Sequence, residues 1–172
     1  MNSKLSQTIL SLVSGITHAE TAYAHCDYPC GIYDPHQAQI GVLTVIRMMD
    51  LMNELEKSHE HHDLEFRNNM VRAIALKEEH AELVKREIRV IWGDYFKAEH
   101  LEKHPETNDL VREIMQLGSK CRQTADPANG AKLLEAVNKF AEIFWDTKGK
   151  KTFHAKAPYK PEAEVVYPDL KG

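Results

Sequence analysis

Four amphipathic segments, each with apolar residues spaced by threes and fours, confine the body of this chain to a helical bundle. The first opens on Asp34-Pro35-His36-Gln37, which places Asp at the N-cap, Pro at N1 and Gln at N3. Its stripe is Val42, Val45, Met49 and Met52, and it fades near Lys57. The second and longest runs from about Leu64 to Trp92, with Phe66, Met70, Ile74, Ala81, Val84, Ile88 and Ile91 on one face and Lys77 interrupting it. A third, from about Pro105 to Arg122, turns Leu110, Ile114 and Leu117 inward. Cys121 falls in phase with that stripe and reads as a buried packing thiol. Asp126-Pro127 caps the fourth, whose stripe is Leu133, Val137, Phe140 and Phe144 and which ends near Gly149. Joined by short links, four such stripes specify an all-α, antiparallel-type four-helix bundle. No segment alternates convincingly with period two, and no internal repeat is present.

Size and composition agree with one helix-rich domain. The chain has 172 residues, 42% of them hydrophobic and 28% charged. A formal charge of −4 without a basic stripe argues against a nucleic-acid partner. No apolar run approaches the roughly 20 residues that span a bilayer, so no membrane partner is expected. Three cysteines leave one over, which excludes a closed disulfide framework.

Chemistry concentrates ahead of the bundle, in His25-Cys26-Asp27-Tyr28-Pro29-Cys30-Gly31-Ile32-Tyr33. If the bond between Ala24 and His25 is cut, one residue offers a terminal amine, a backbone carbonyl and an imidazole beside a thiolate. The His25 amine, the Cys26 amide nitrogen and the Cys26 and Cys30 thiolates can define a square plane. That donor set suits Ni(II) or Cu(II) better than Zn(II), which prefers a closed tetrahedron. The His25 imidazole can fold back as an axial ligand that comes and goes. Thiolates and an ionised amide donate electrons strongly and so stabilise an oxidised metal. Binding must deprotonate both thiols and the amide, so occupancy should collapse in acid.

The run H-C-D-x-P-C-G-x-Y-D-P from His25 to Pro35 resembles the metal hook of the nickel-containing superoxide dismutases. Trp92-x-Asp94-Tyr95-Phe96-Lys97 and Ile143-Phe144-Trp145 are similar to two further blocks of that family, so the resemblance spans roughly His25 to Lys148. It implies disproportionation of superoxide to dioxygen and hydrogen peroxide, one nickel ion per chain on His25, Cys26 and Cys30, and a hollow homohexamer of four-helix bundles. Tyr33 matches a tyrosine that orders water and limits access on the open side of the metal. Asp27 matches a residue that fixes the hook. The resemblance also implies a cis Tyr28–Pro29 bond and a residue at Gly31 whose backbone conformation other residues avoid. Backbone N–H groups near Asp27 and Cys30 are candidate anchors for superoxide, and Lys97 can add positive potential that steers an anion. In the family a glutamate at position 41 and an arginine at position 80 orient the axial imidazole. Gly41 and His80 cannot form that charged chain, which leaves His80 itself, Glu78 or Glu79 as substitutes.

The expected organisation is a removable pro-segment (1–24), the hook (25–33), the bundle (34–148) and an irregular C-terminal extension (149–172). The leader imitates a secretory signal, with Ala22-Tyr23-Ala24 as an A-x-A site. Its short, broken apolar stretch argues against that reading, and the resemblance implies instead a pro-segment removed in the cytoplasm by a peptidase acting at Ala24–His25. Pro158, Pro161 and Pro168 exclude continuous helix from the tail, which is expected to lie extended on a neighbour or stay mobile. His59, His61 and His62 read as a solvated polar turn, and Trp92, Tyr95, Phe96 and Trp145 as core and subunit-contact aromatics. A non-enzymatic copper- or zinc-binding bundle and a thiol-disulfide protein using Cys26 and Cys30 are the alternatives that the residues leave open.

Overall fold

The computed structural model describes residues 30–58 and 63–171. The chain divides into two units, Met1–Gly31 and Ile32–Gly172; of the first, only Cys30 and Gly31 are described. The expectations for the leader, for the Tyr28–Pro29 bond and for the His59, His61, His62 cluster lie outside the described residues.

The second unit is the bundle. Helix α1 (His36–Ser58) begins where Asp34 Oδ1 accepts a hydrogen bond of 2.8 Å from the His36 amide, an N-cap followed by Pro35 at N1. Helix α2 (Leu64–Val90) starts the same way, with Asp63 Oδ1 accepting from the Phe66 amide at 2.8 Å. The sequence reading ends this helix at Trp92. Instead it continues through a π-helical turn over Ile91–Tyr95, and Phe96 then turns extended. The link expected to run from Gly93 to Pro105 contains a short helix of its own, α3 (Ala98–Lys103). Helices α4 (Thr107–Gln123) and α5 (Pro127–Thr147) complete the bundle, and Asp126 Oδ1 caps α5 by accepting from the Ala128 amide at 3.0 Å.

Packing closes the four long helices into a ring, with α1 against α2, α2 against α4, α4 against α5 and α5 against α1. The stripes read from spacing are the core. Val42, Val45, Met49, Ala81, Val84, Ile88, Ile114, Leu133, Val137, Phe140 and Phe144 are all sealed from solvent. Gly41 lets α1 and α2 approach closely, since a Cβ there would stand 2.8 Å from Val84 Cγ2 and 3.4 Å from the His80 carbonyl oxygen.

The tail departs most from expectation. Helix α5 ends in a Schellman motif: Gly149, at φ +67°, donates to the Asp146 carbonyl and Lys150 donates to that of Trp145, both at 2.9 Å. The chain then forms an antiparallel hairpin, β1 (Thr152–Lys156) paired with β2 (Glu164–Pro168), in which His154 faces Val166. The extension is therefore not irregular; it packs on its own bundle, chiefly on α5. Period-two alternation is missing because consecutive residues Val165 and Val166 are both buried, at 0% and 1% exposure.

Candidate metal centre

The expected ligands divide unevenly. His25, Cys26 and the neighbouring Asp27 lie outside the described residues, while Cys30 lies within them. Gly31 follows at φ +68°, a left-handed conformation that costs a side-chain-bearing residue roughly 1–2 kcal/mol. That agrees with the backbone expected of the hook's glycine. The donor chemistry of His25-Cys26 and Cys30 fits nickel: two thiolates, an ionisable amide and an amine favour a d-electron metal with square-planar preference.

In the bundle unit, the last residue of the hook is seated on an aromatic ring. Tyr33 is half-buried, with its ring 5.7 Å from that of Tyr95 and inclined at 47°. The π-helical turn brings Tyr95 into an aromatic cluster, 4.9 Å from Phe144, 5.5 Å from Phe96 and stacked 5.1 Å from His100. Thr147 Oγ1 donates to the Phe144 carbonyl at 2.6 Å, so the Tyr95 hydroxyl donates to Thr147 Oγ1 at 2.7 Å. The Lys148 ammonium sits 4.3 Å from the centre of the Tyr95 ring, a cation–π contact. The ring that supports Tyr33 is thereby fixed on several sides. Of the aromatics expected in the core or at subunit contacts, two stand further out: Trp145 is half-buried, and Trp92 is 40% exposed with its Nε1 donating to Asn108 Oδ1 at 2.9 Å.

Lys97 is exposed at the N-cap of α3, as a steering charge must be. Positions 41 and 80 do face each other across α1 and α2, through the His80 backbone carbonyl. The His80 ring, however, turns along its own helix, with Nδ1 2.9 Å from the Leu76 carbonyl oxygen. Among the described residues no group of three or more His, Cys, Asp or Glu side chains is arranged to hold a metal ion.

Two buried polar constructions escaped the sequence reading. Lys77, the charge that interrupts the α2 stripe, is 3% exposed. Its ammonium donates to the carbonyls of Cys121 at 2.7 Å, Arg122 at 2.6 Å and Thr124 at 3.0 Å, capping the C-terminus of α4. Burial holds its pKa below the ordinary lysine value. A lone cation on an apolar face was the available signal. Cys121 is the packing thiol expected, fully buried, and desolvation pushes its pKa up to about 11. The second construction joins Gln39 and Asn138 to β2, and no local pattern announced it. Gln39 Nε2 donates to Asn138 Oδ1 at 3.1 Å and to the Val166 carbonyl at 2.9 Å. Asn138 Oδ1 accepts from the Val166 amide at 3.2 Å, and its Nδ2 donates to the Glu164 carbonyl at 2.9 Å.

Comparison with known proteins agrees with this arrangement. The family model for nickel-containing superoxide dismutases matches residues 20–148. A superoxide dismutase of the nickel type from Streptomyces seoulensis is 42% identical over 125 residues, covering 73% of this chain and 88% of the relative. Its counterpart from Streptomyces coelicolor is 41% identical over 128 residues, covering 74% and 91%. Among solved structures, a native nickel superoxide dismutase superposes with a TM-score of 0.62 at 40% identity, covering 72% of this chain and 99% of the other. A nickel-containing superoxide dismutase with the ligation of the oxidised state gives 0.63 at 40% identity, covering 73% and 99%.

Proposed function

Because this chain belongs to the nickel-containing superoxide dismutase family, we propose that His25, Cys26 and Cys30 hold its nickel ion once the chain is cut between Ala24 and His25. The reaction is the family's: two superoxide anions and two protons become dioxygen and hydrogen peroxide. Bound nickel supplies the one-electron acceptor and donor that this disproportionation needs, because sulfur and amide donors bring its higher oxidation state within reach. The observation that carries the assignment is the hook sequence itself, complete from His25 to Pro35, on a chain 42% identical to a nickel-type relative.

The roles of the remaining residues follow from chemistry and position. Cleavage would free the His25 amine, so that the amine and the imidazole of one residue would both be available to hold the nickel. Asp27 fixes the hook, and backbone N–H groups near Asp27 and Cys30 hold the anion. Tyr33 orders water and limits access; its seat on Tyr95 supports a fixed rather than a swinging ring. Lys97 adds attraction for an anion on a protein of net charge −4. We assign residues 1–24 to the pro-segment, removed by a maturation peptidase in the cytoplasm, and the working form to a homohexamer. No helix among the described residues is long and apolar enough to cross a membrane.

Intact-mass and metal measurement on protein purified from its own host tests the reading. The expected result is a chain beginning at His25 with about one nickel. A variant retaining one methionine before His25 should lose dismutation, because the terminal amine is displaced. Full activity in that variant would overturn the ligand assignment.

A further inference from the structure

Residues 149–172 lie beyond the family match, and the solved relatives account for 73% of this chain while being covered almost end to end themselves. The hairpin built from this segment is therefore an addition to the shared body. What it touches is specific. Strand β2 presents both the N–H and the C=O of Val166 to the bundle, where the amides of Gln39 and Asn138 receive them as a further strand would. Gln39 is 1% exposed and Asn138 is 8% exposed, so this pairing is buried. Gln39 stands in the first turn of α1. The ring of Tyr167 lies 5.9 Å from that of His36, in the same turn. On the outer side, His154 places Nε2 2.8 Å from Glu142 of α5 and Nδ1 3.1 Å from Glu164.

A helix's first turn is its weakest, because its amides have no partners within the helix. Here that turn is also the root from which the hook continues along the chain. Asp34 caps it from one side, and the hairpin grips it from another. We propose that the C-terminal hairpin is a positioning element that clamps the first turn of α1 and thereby steadies the chain from which the nickel hook extends. This rests on the assignment of His25, Cys26 and Cys30 as the nickel ligands. Within that reading, Gln39 and Asn138 are positioning residues: they touch neither metal nor substrate and act through the anchored turn.

The test uses the full chain cut before His25, the same chain ending at Lys150, and the isosteric change Gln39→Glu, which removes the donor to the Val166 carbonyl. Hydrogen exchange of the amides of Gln39, which donates to the Pro35 carbonyl at 3.1 Å, and of Ile40 is measured against those of α4, with nickel content measured in parallel. In both variants, exchange in the first turn should quicken at least about tenfold while α4 stays protected, and bound nickel should fall by at least about half. Unchanged exchange and unchanged nickel in Gln39→Glu would overturn the proposal, and that variant decides if the shortened chain fails to fold. A parent chain that takes up no nickel would instead refute the ligand assignment. The exchange data would then still judge whether the hairpin holds α1.

Discussion

Lys77 shows how one side chain can carry an element's end. Its buried ammonium meets three carbonyls that the last turn of α4 leaves without helical partners. Burial favours the neutral amine and the three acceptors favour the ammonium, and three donors are available only to the charged form. Lys77→Met keeps the apolar stem and removes every donor, so it should cost about 2–3 kcal/mol, read as a lower denaturant midpoint at unchanged slope. A midpoint equal to the parent's would mean that water serves those carbonyls as well. Gly41 makes a related point about the site. The family reading places a glutamate there, yet a Cβ would drive into Val84, so the helix approach itself has taken the room.

At the scale of elements, residues of the hook motif divide between chemistry and construction. Asp34 belongs to the matched run, but its carboxylate is engaged in capping α1. Asp34→Ala should lower stability by about 1 kcal/mol, and Asp34→Asn should restore most of it, since an amide oxygen caps nearly as well. Thermal melts of the two variants check this; equal melting of Ala and Asn forms would refute the capping role. The π-helical turn is the other constructive device. Its wider winding delivers Tyr95 into the cluster against Phe144 and beside Tyr33, and Phe96 onto Phe140. Spacing alone could not find it, because a single turn of altered pitch looks like the ordinary end of a helix.

For the whole molecule, acid separates the hook from the bundle. With the proposed thiolates and amide as ligands, metal binding would require their deprotonation, so protons would compete for the site directly. The bundle is held partly by carboxylates of lowered pKa. Lys103 and His104 both donate to Asp146 Oδ2, at 2.6 and 2.8 Å, and hold its carboxyl below the ordinary aspartate value. The native state thus binds fewer protons than the unfolded one over that interval. The stability Asp146 adds is full above its unfolded pKa and fades as pH falls through the lowered native one. In an acid titration, nickel should leave before helicity is lost, followed by metal analysis and circular dichroism on the same samples. Simultaneous loss would mean that the metal holds the bundle together.

The sequence by itself determined the four long helices and their core, because apolar spacing and the caps at Asp34 and Asp126 act within a few residues of chain. It also supplies the donors proposed for the hook, since His25 beside two nearby cysteines is local chemistry. The tertiary structure alone decided what depends on partners far apart: Lys77 reaching residues 44 to 47 positions on, or Gln39 meeting Val166 across 127. The hairpin falls in that second class. Its two buried neighbours, Val165 and Val166, erase the alternation that would mark a strand, whose backbone pairs with β1 along one edge and with the bundle's side-chain amides along the other.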